Sequence, residues 1–202
     1  MLINLRDILG YQIQATDKPA GTAYDFYIDD VLWTVRHVAI ADAGGLGTQM
    51  ASVEPHSLDK VDREKKQLHV DKAQEQIAEG PDVSGNPPVM DQGSRAGNPH
   101  LRSIREVHGY KVVCVDGAMG SIDDFIASDD DWKIHFIVVA GKGTAEHRKV
   151  LVGPGLINQI DFDAKTVHLE LDRDHFAKSP VFDSSHPIEN IEDVQLVGRA
   201  NI

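Results

Sequence analysis

One cysteine among 202 residues, Cys114, rules out an intrachain disulfide. A chain of this size without such staples suits a reducing compartment. No run approaches the roughly 18 apolar residues of a membrane helix. Met1–Leu9 also lacks a signal peptide's charged start and apolar stretch. A cytoplasmic protein with no direct membrane insertion is therefore expected. Positive charge is scarce throughout: 9 Lys/Arg stand against 15 Asp/Glu before residue 100, and 11 against 17 from there on, for a net charge of −12. Neither half carries the basic footprint that a phosphate backbone needs, so nucleic acid is not an expected partner. Anionic lipid would be repelled as well, whereas basic proteins or cations would be attracted.

Catalytic patterns are missing too. No G-x-S-x-G and no H-E-x-x-H occurs, and a lone cysteine cannot build a clustered thiolate site. Cys114 lies in an apolar run, where a thiol is more often inert. Asp123 and Asp124 are adjacent in a predicted strand and so point to opposite faces, which does not suit paired acid–base work. The expectation is a protein that is not an enzyme, with no catalytic, cofactor-binding or metal-binding residues and no cofactor.

What the chain does contain is itself, twice. Shifted by 99 positions, Asn4–Pro81 superimposes on Ser103–Pro180 without a gap. Arg6, Gly10, Tyr11, Asp17, Gly21, Asp25, Phe26, Asp30 and Trp33 recur as Arg105, Gly109, Tyr110, Asp116, Gly120, Asp124, Phe125, Asp129 and Trp132. Apolar character is kept in Ile13/Val112, Val38/Ile137, Leu58/Ile157, Val61/Ile160, Leu68/Val167 and Ile77/Phe176. Two copies are too few for a solenoid and describe a duplicated domain. The expected organisation is a first domain over 1–81, a linker over 82–101, a second domain over 102–182 and a tail over 183–202. The linker is inferred from its Gly, Pro, Ser and Asn content.

Within each copy, strands are predicted at Tyr11–Ala15 and Tyr110–Val115, each turning at Asp17–Gly21 or Asp116–Gly120 into Thr22–Ile28 or Ser121–Ala127. Glycine at the end of the turn permits positive φ where the chain reverses. An acidic turn and a tryptophan lead into Thr34–Ala41 or Lys133–Ala140. Further strands are predicted at Met50–Val53 or Lys149–Val152 and at Gln67–Val70 or Thr166–Glu170. A short helix, Asp71–Glu79 or Asp172–Lys178, closes each copy. Asp172 is the candidate cap of the second helix and Asp71 of the first. Many short strands and one terminal helix predict a mainly β fold of two tandem small barrels.

The residues Gly109, Tyr110, Asp116, Gly120, Asp123–Phe125, Asp129–Trp132, Ile134–Val139, Val150–Pro154 and Ser179–Pro180 together resemble the PRC-barrel family. The first copy matches through Gly10, Tyr11, Gly21, Asp25, Phe26, Trp33 and Pro81. That family is named for the cytoplasmic domain of the photosynthetic reaction-centre H subunit and includes the C-terminal domain of a ribosome maturation factor. The resemblance implies a small β-barrel that serves as a protein-docking or assembly module, with another protein as partner. Its motif residues are mostly turns and core, so they speak to fold more than to activity.

Other features invite chemistry but have plainer readings. Gly141-Lys142-Gly143-Thr144 has the wrong order for a phosphate loop and reads as a turn. His69 and His168 are equivalent strand positions suited to packing or hydrogen bonding. Ser128-Asp129-Asp130-Asp131 lacks the spacing of a calcium loop and reads as a solvated turn. The alternative to docking is a small-molecule or cation-binding sensor, sited between the barrels or at this acidic turn. Trp33 and Trp132 suit packing at a barrel rim, with a docking anchor as the second reading. The tail's Ile188, Ile191, Val194, Leu196 and Val197 could add a strand, cross to the other copy or support a homo-oligomer.

Overall fold

The computed structural model describes residues 1–41, 51–79, 100–141 and 148–183. The Gly44–Gly47 loop, Lys142–Thr144, Pro81, most of the expected linker and the tail's apolar set lie outside the described residues. In chain order the first elements are β1 (Leu2–Asn4), β2 (Gln12–Gln14), β3 (Pro19–Asp29), β4 (Thr34–Ala41), β5 (Ala51–Val53), β6 (Leu58–Asp62), β7 (Gln67–Val70) and α1 (Gln74–Ala78). They are followed by β8 (Leu101–Ser103), α2 (Ile104–Val107), β9 (Lys111–Cys114), β10 (Gly117–Ser128), β11 (Ile134–Gly141), β12 (Lys149–Val152), β13 (Ile157–Asp161), β14 (Thr166–Leu169) and α3 (Arg173–Lys178).

The fold is mainly β and holds two sheets of the same order, β5-β4-β3-β2-β7-β6 and β12-β11-β10-β9-β14-β13. All neighbours are antiparallel except β2 with β7 and β9 with β14, which run parallel. No pairing joins the two ends of either path among the described residues, so neither sheet is a hydrogen-bonded closed barrel. Each sheet is nonetheless curled. In the first, the terminal strands β5 and β6 are separated only by Glu54 and a 3-10 turn at Pro55–Ser57. Five Cα steps reach at most about 19 Å, less than the roughly 24 Å across a flat sheet of six strands.

The seventh strand of each sheet comes from elsewhere in the chain. β8 pairs with β3, setting Leu101 opposite Asp29 and Ser103 opposite Tyr27. β1 pairs with β10, setting Leu2 opposite Ser128 and Asn4 opposite Ile126. The compact units are accordingly discontinuous. The β3 unit comprises Leu5–Arg105 with Asp131–Lys133, and the β10 unit comprises Met1–Asn4, Glu106–Asp130 and the residues from Ile134 on.

Alternation along the strands places repeat-equivalent residues in equivalent cores. Ile13, Phe26, Val38, Ile40, Val53, Leu68 and Ile77 are buried in one unit, as are Val112, Phe125, Ile137, Val139, Val152, Val167 and Phe176 in the other. Phe182, beyond α3, packs on Leu2, Ile126, Phe136, Val138 and Leu151. Glycine is required at Gly21 and Gly120 for a reason beyond the turn. A Cβ there would sit 2.1 Å from the Ala41 carbonyl oxygen and 2.0 Å from that of Ala140. Gly21 does have positive φ, at 113°, whereas in the second copy that conformation falls on Gly117, at 135°.

The second helix starts as expected and the first does not. Asp172 caps α3, accepting from the His175 N–H at 2.7 Å. Asp71 does not cap α1, because Ala73 occupies its N-cap position. The Gln74 N–H is instead met by the Asp17 carboxylate at 2.9 Å, and Asp116 meets the Arg173 N–H at the same distance. The recurrence of Asp17 and Asp116 therefore has a purpose: each satisfies a free N–H at a helix start.

Candidate functional site

The turn from β3 to β4 is built by one carboxylate. Asp29 accepts from the backbone N–H groups of Val31 and Leu32, both at 2.9 Å, while its carbonyl accepts from the Trp33 N–H at 2.8 Å. Trp33 follows in the left-handed region, at φ 51°. The result is a tight tip on which Val31 is 60% and Leu32 64% exposed. The equivalent turn from β10 to β11 carries Asp130 and Asp131 at those positions and uses the Ser128 hydroxyl, which accepts from the Asp130 N–H at 3.2 Å. Trp132 has the same left-handed backbone, at φ 56°.

The two tryptophans differ in surroundings. Trp132 is buried in the β3 unit and stacks on Phe26, with ring centroids 6.2 Å apart and planes 16° from parallel. Its carbonyl accepts from the Val35 N–H at 2.9 Å. Packing is its observed use, while Trp33 is half-buried.

The acidic turn is engaged by the chain's own groups. The Met1 ammonium pairs with Asp129 and lies 3.5 Å from Asp130. Hydrogen bonding to Asp129 pushes the amine's pKa up. In the β3 unit the equivalent Asp30 takes Arg102 Nε at 2.6 Å and His100 Nδ1 at 3.1 Å. Among the described residues, no group of three or more His, Cys, Asp or Glu side chains is placed to hold a metal ion.

Asp25 lies deeper, and the sequence marks it only as a recurring residue of the family-like pattern, with no site role. It is buried on β3, accepting from the Ser103 hydroxyl, from the Phe26 N–H at 2.8 Å and from the Arg105 N–H at 3.3 Å. Burial pushes its carboxyl up to about 6, against those donors, which pull it down. The buried Asp124 repeats the local bond, accepting from the Phe125 N–H at 2.7 Å. Its neighbour Asp123 pairs with Lys149 Nζ at 2.7 Å, so the two carboxylates have separate partners.

A groove of about 450 Å³ opens in the β3 unit where β2 and β7 end, lined by Gln14, Thr16, Asp59, His69 and Asp71 over Ala15 and Val70. The parallel register sets Gln14 beside His69, and alternation carries Thr16 and Asp71 to the same face. Asp59 is the extra residue of a bulge between Leu58 and Lys60. Among the described residues, no lysine or arginine lines the groove. The second copy has Val113, Val115, Asn158, His168 and Glu170 at the positions equivalent to Gln14, Thr16, Asp59, His69 and Asp71. There His168 Nε2 lies 3.1 Å from the Thr166 hydroxyl.

Cys114 is buried, and that burial, together with Asp116 and Asp172, raises its thiol pKa, so the reactive thiolate is disfavoured. No family model matches the chain, and no curated protein matches it.

Proposed function

We propose that the chain is a non-enzymatic protein-docking module built from two PRC-type barrels. The curl forced by the short β5–β6 connection supports the barrel reading, since it brings the ends of the sheet towards each other. The observation that carries the docking reading is the Val31–Leu32 tip: two adjacent apolar side chains held outward by the Asp29 turn, where the other copy has two aspartates. Apolar side chains on a rigid turn bury area on binding at little entropic cost. Affinity capture with the full chain tests this. A partner retained by the wild type and by Asp130→Asn/Asp131→Asn, but lost with Val31→Asp/Leu32→Asp, supports it. Equal retention by all three counts against it.

The groove beside His69 favours the small-molecule form of the second reading, a sensor, because its lining is polar and, among the described residues, includes no lysine or arginine. A ligand whose stabilisation in a thermal-shift screen vanishes with Asp59→Asn/Asp71→Asn would select this reading.

A further inference from the structure

We propose that residues 1–99 and 100–202 are binding partners in their own right, each supplying a docking strand that the other half's sheet requires, so that their association outlasts the covalent link between them.

The pairing is specified by side chains as well as by backbone. The edge of β3 takes β8 with Ile28 opposite Arg102. Side chains from the second half then settle on the first. Ser103 donates to buried Asp25, and Arg102 pairs with Asp30 at 2.6 Å with both side chains mostly buried. The Arg105 guanidinium lies 4.5 Å from the Tyr24 ring centre and donates to the Tyr24 carbonyl at 3.3 Å. The Asp30 N–H donates to the His100 carbonyl at 2.9 Å, and Trp132 stacks on Phe26. In return, Leu2 and Ile3 from the first half are buried against β10, and the Asp129 N–H donates to the Met1 carbonyl at 3.0 Å.

Two physical consequences follow. Without β8, Asp25 would lose its hydroxyl donor and Asp30 its guanidinium, leaving two carboxylates that the fold holds largely out of water short of those partners. Without β1, Ile126 and Ala127 would lose the strand that lies along them. The occupant is also distinguishable from its counterpart, because β8 carries Arg102 and Ser103 where β1 carries Ile3 and Asn4. Of the two strands, β8 alone carries a guanidinium for Asp30.

The test uses the full chain with a protease recognition site inserted between residues 90 and 91. After cleavage, the halves are expected to co-elute in native size exclusion at the 22.2 kDa mass of the intact chain, in one-to-one ratio. Separation into single halves, or precipitation of either half while the uncleaved protein remains in solution, would overturn the proposal. In the cleaved protein, Arg102→Ala/Ser103→Ala is expected to weaken association by at least about tenfold, the scale for truncating a buried charge pair. The uncleaved variant serves as the folding control. An unchanged dissociation constant would equally overturn the proposal.

Discussion

Ser103 donates its hydroxyl to Asp25, joining a strand from one end of the sequence duplication to a carboxylate 78 residues earlier. The pair sits inside the β3 unit and gives the fold a pH signature. Asp25 binds its proton more tightly when folded, at about 6 against an ordinary value near 3.8. Its contribution to stability is therefore complete below about pH 4 and is lost as pH rises through 6. A rise of that size is worth roughly 3 kcal/mol. Urea midpoints from pH 4 to 7 should show wild type losing about that much relative to Asp25→Asn. Asp17, Asp62 and Asp172, held low chiefly by backbone N–H donors, titrate below this window in both proteins.

Trp132 and Trp33 are equivalent in sequence but not in burial. Trp132→Ala is expected to cost about 3–5 kcal/mol, as for other fully buried aromatics. Trp33→Ala should cost less than about 2 kcal/mol. Chemical denaturation of both variants measures the difference, and equal losses would contradict the placement of Trp132 on Phe26.

Gly120 separates close approach from backbone conformation, since its φ is not in the left-handed region. Gly120→Ala should cost at least about 2 kcal/mol, because its Cβ meets the Ala140 carbonyl. The Cβ of Gly109→Ala meets nothing within 4 Å among the described residues, and the position carries only a φ of 83°, so about 1 kcal/mol is expected. Thermal unfolding of the two variants gives the order.

Arg102→Met leaves Asp30 mostly buried without its guanidinium and should destabilise by about 3 kcal/mol. Adding Asp30→Asn to that variant should recover part of the loss, because the buried charge that lost its guanidinium is gone. A double-mutant cycle by denaturation checks the coupling.

The duplication was legible because it rests on residues with geometric duties. Gly21 and Gly120 admit a neighbouring carbonyl, Asp17 and Asp116 meet helix starts, and Trp33 and Trp132 share a left-handed backbone. Thr34–Ala41 and Gln67–Val70 are strands over the predicted residues because β-branched and apolar side chains dominate them. β1 and β8 were not legible, since three residues are too few to show alternation and their pairing is a tertiary choice. β6 and β13 showed only as recurring apolar pairs, and their exposed middle residues hide the strand pattern. Asp25 shows in the sequence only as a recurring carboxylate within the predicted strand Thr22–Ile28. Its burial depends on Ser103, which sequence alone does not place beside it.

The exchange of β1 and β8 is tested most directly by cross-strand NOEs in the isotopically labelled full chain. Backbone contacts of Leu101 with Asp29 and of Ser103 with Tyr27, and of Leu2 with Ser128 and Asn4 with Ile126, are expected. Contacts running instead from Leu101–Ser103 to Ile126–Ser128, and from Leu2–Asn4 to Tyr27–Asp29, would contradict it.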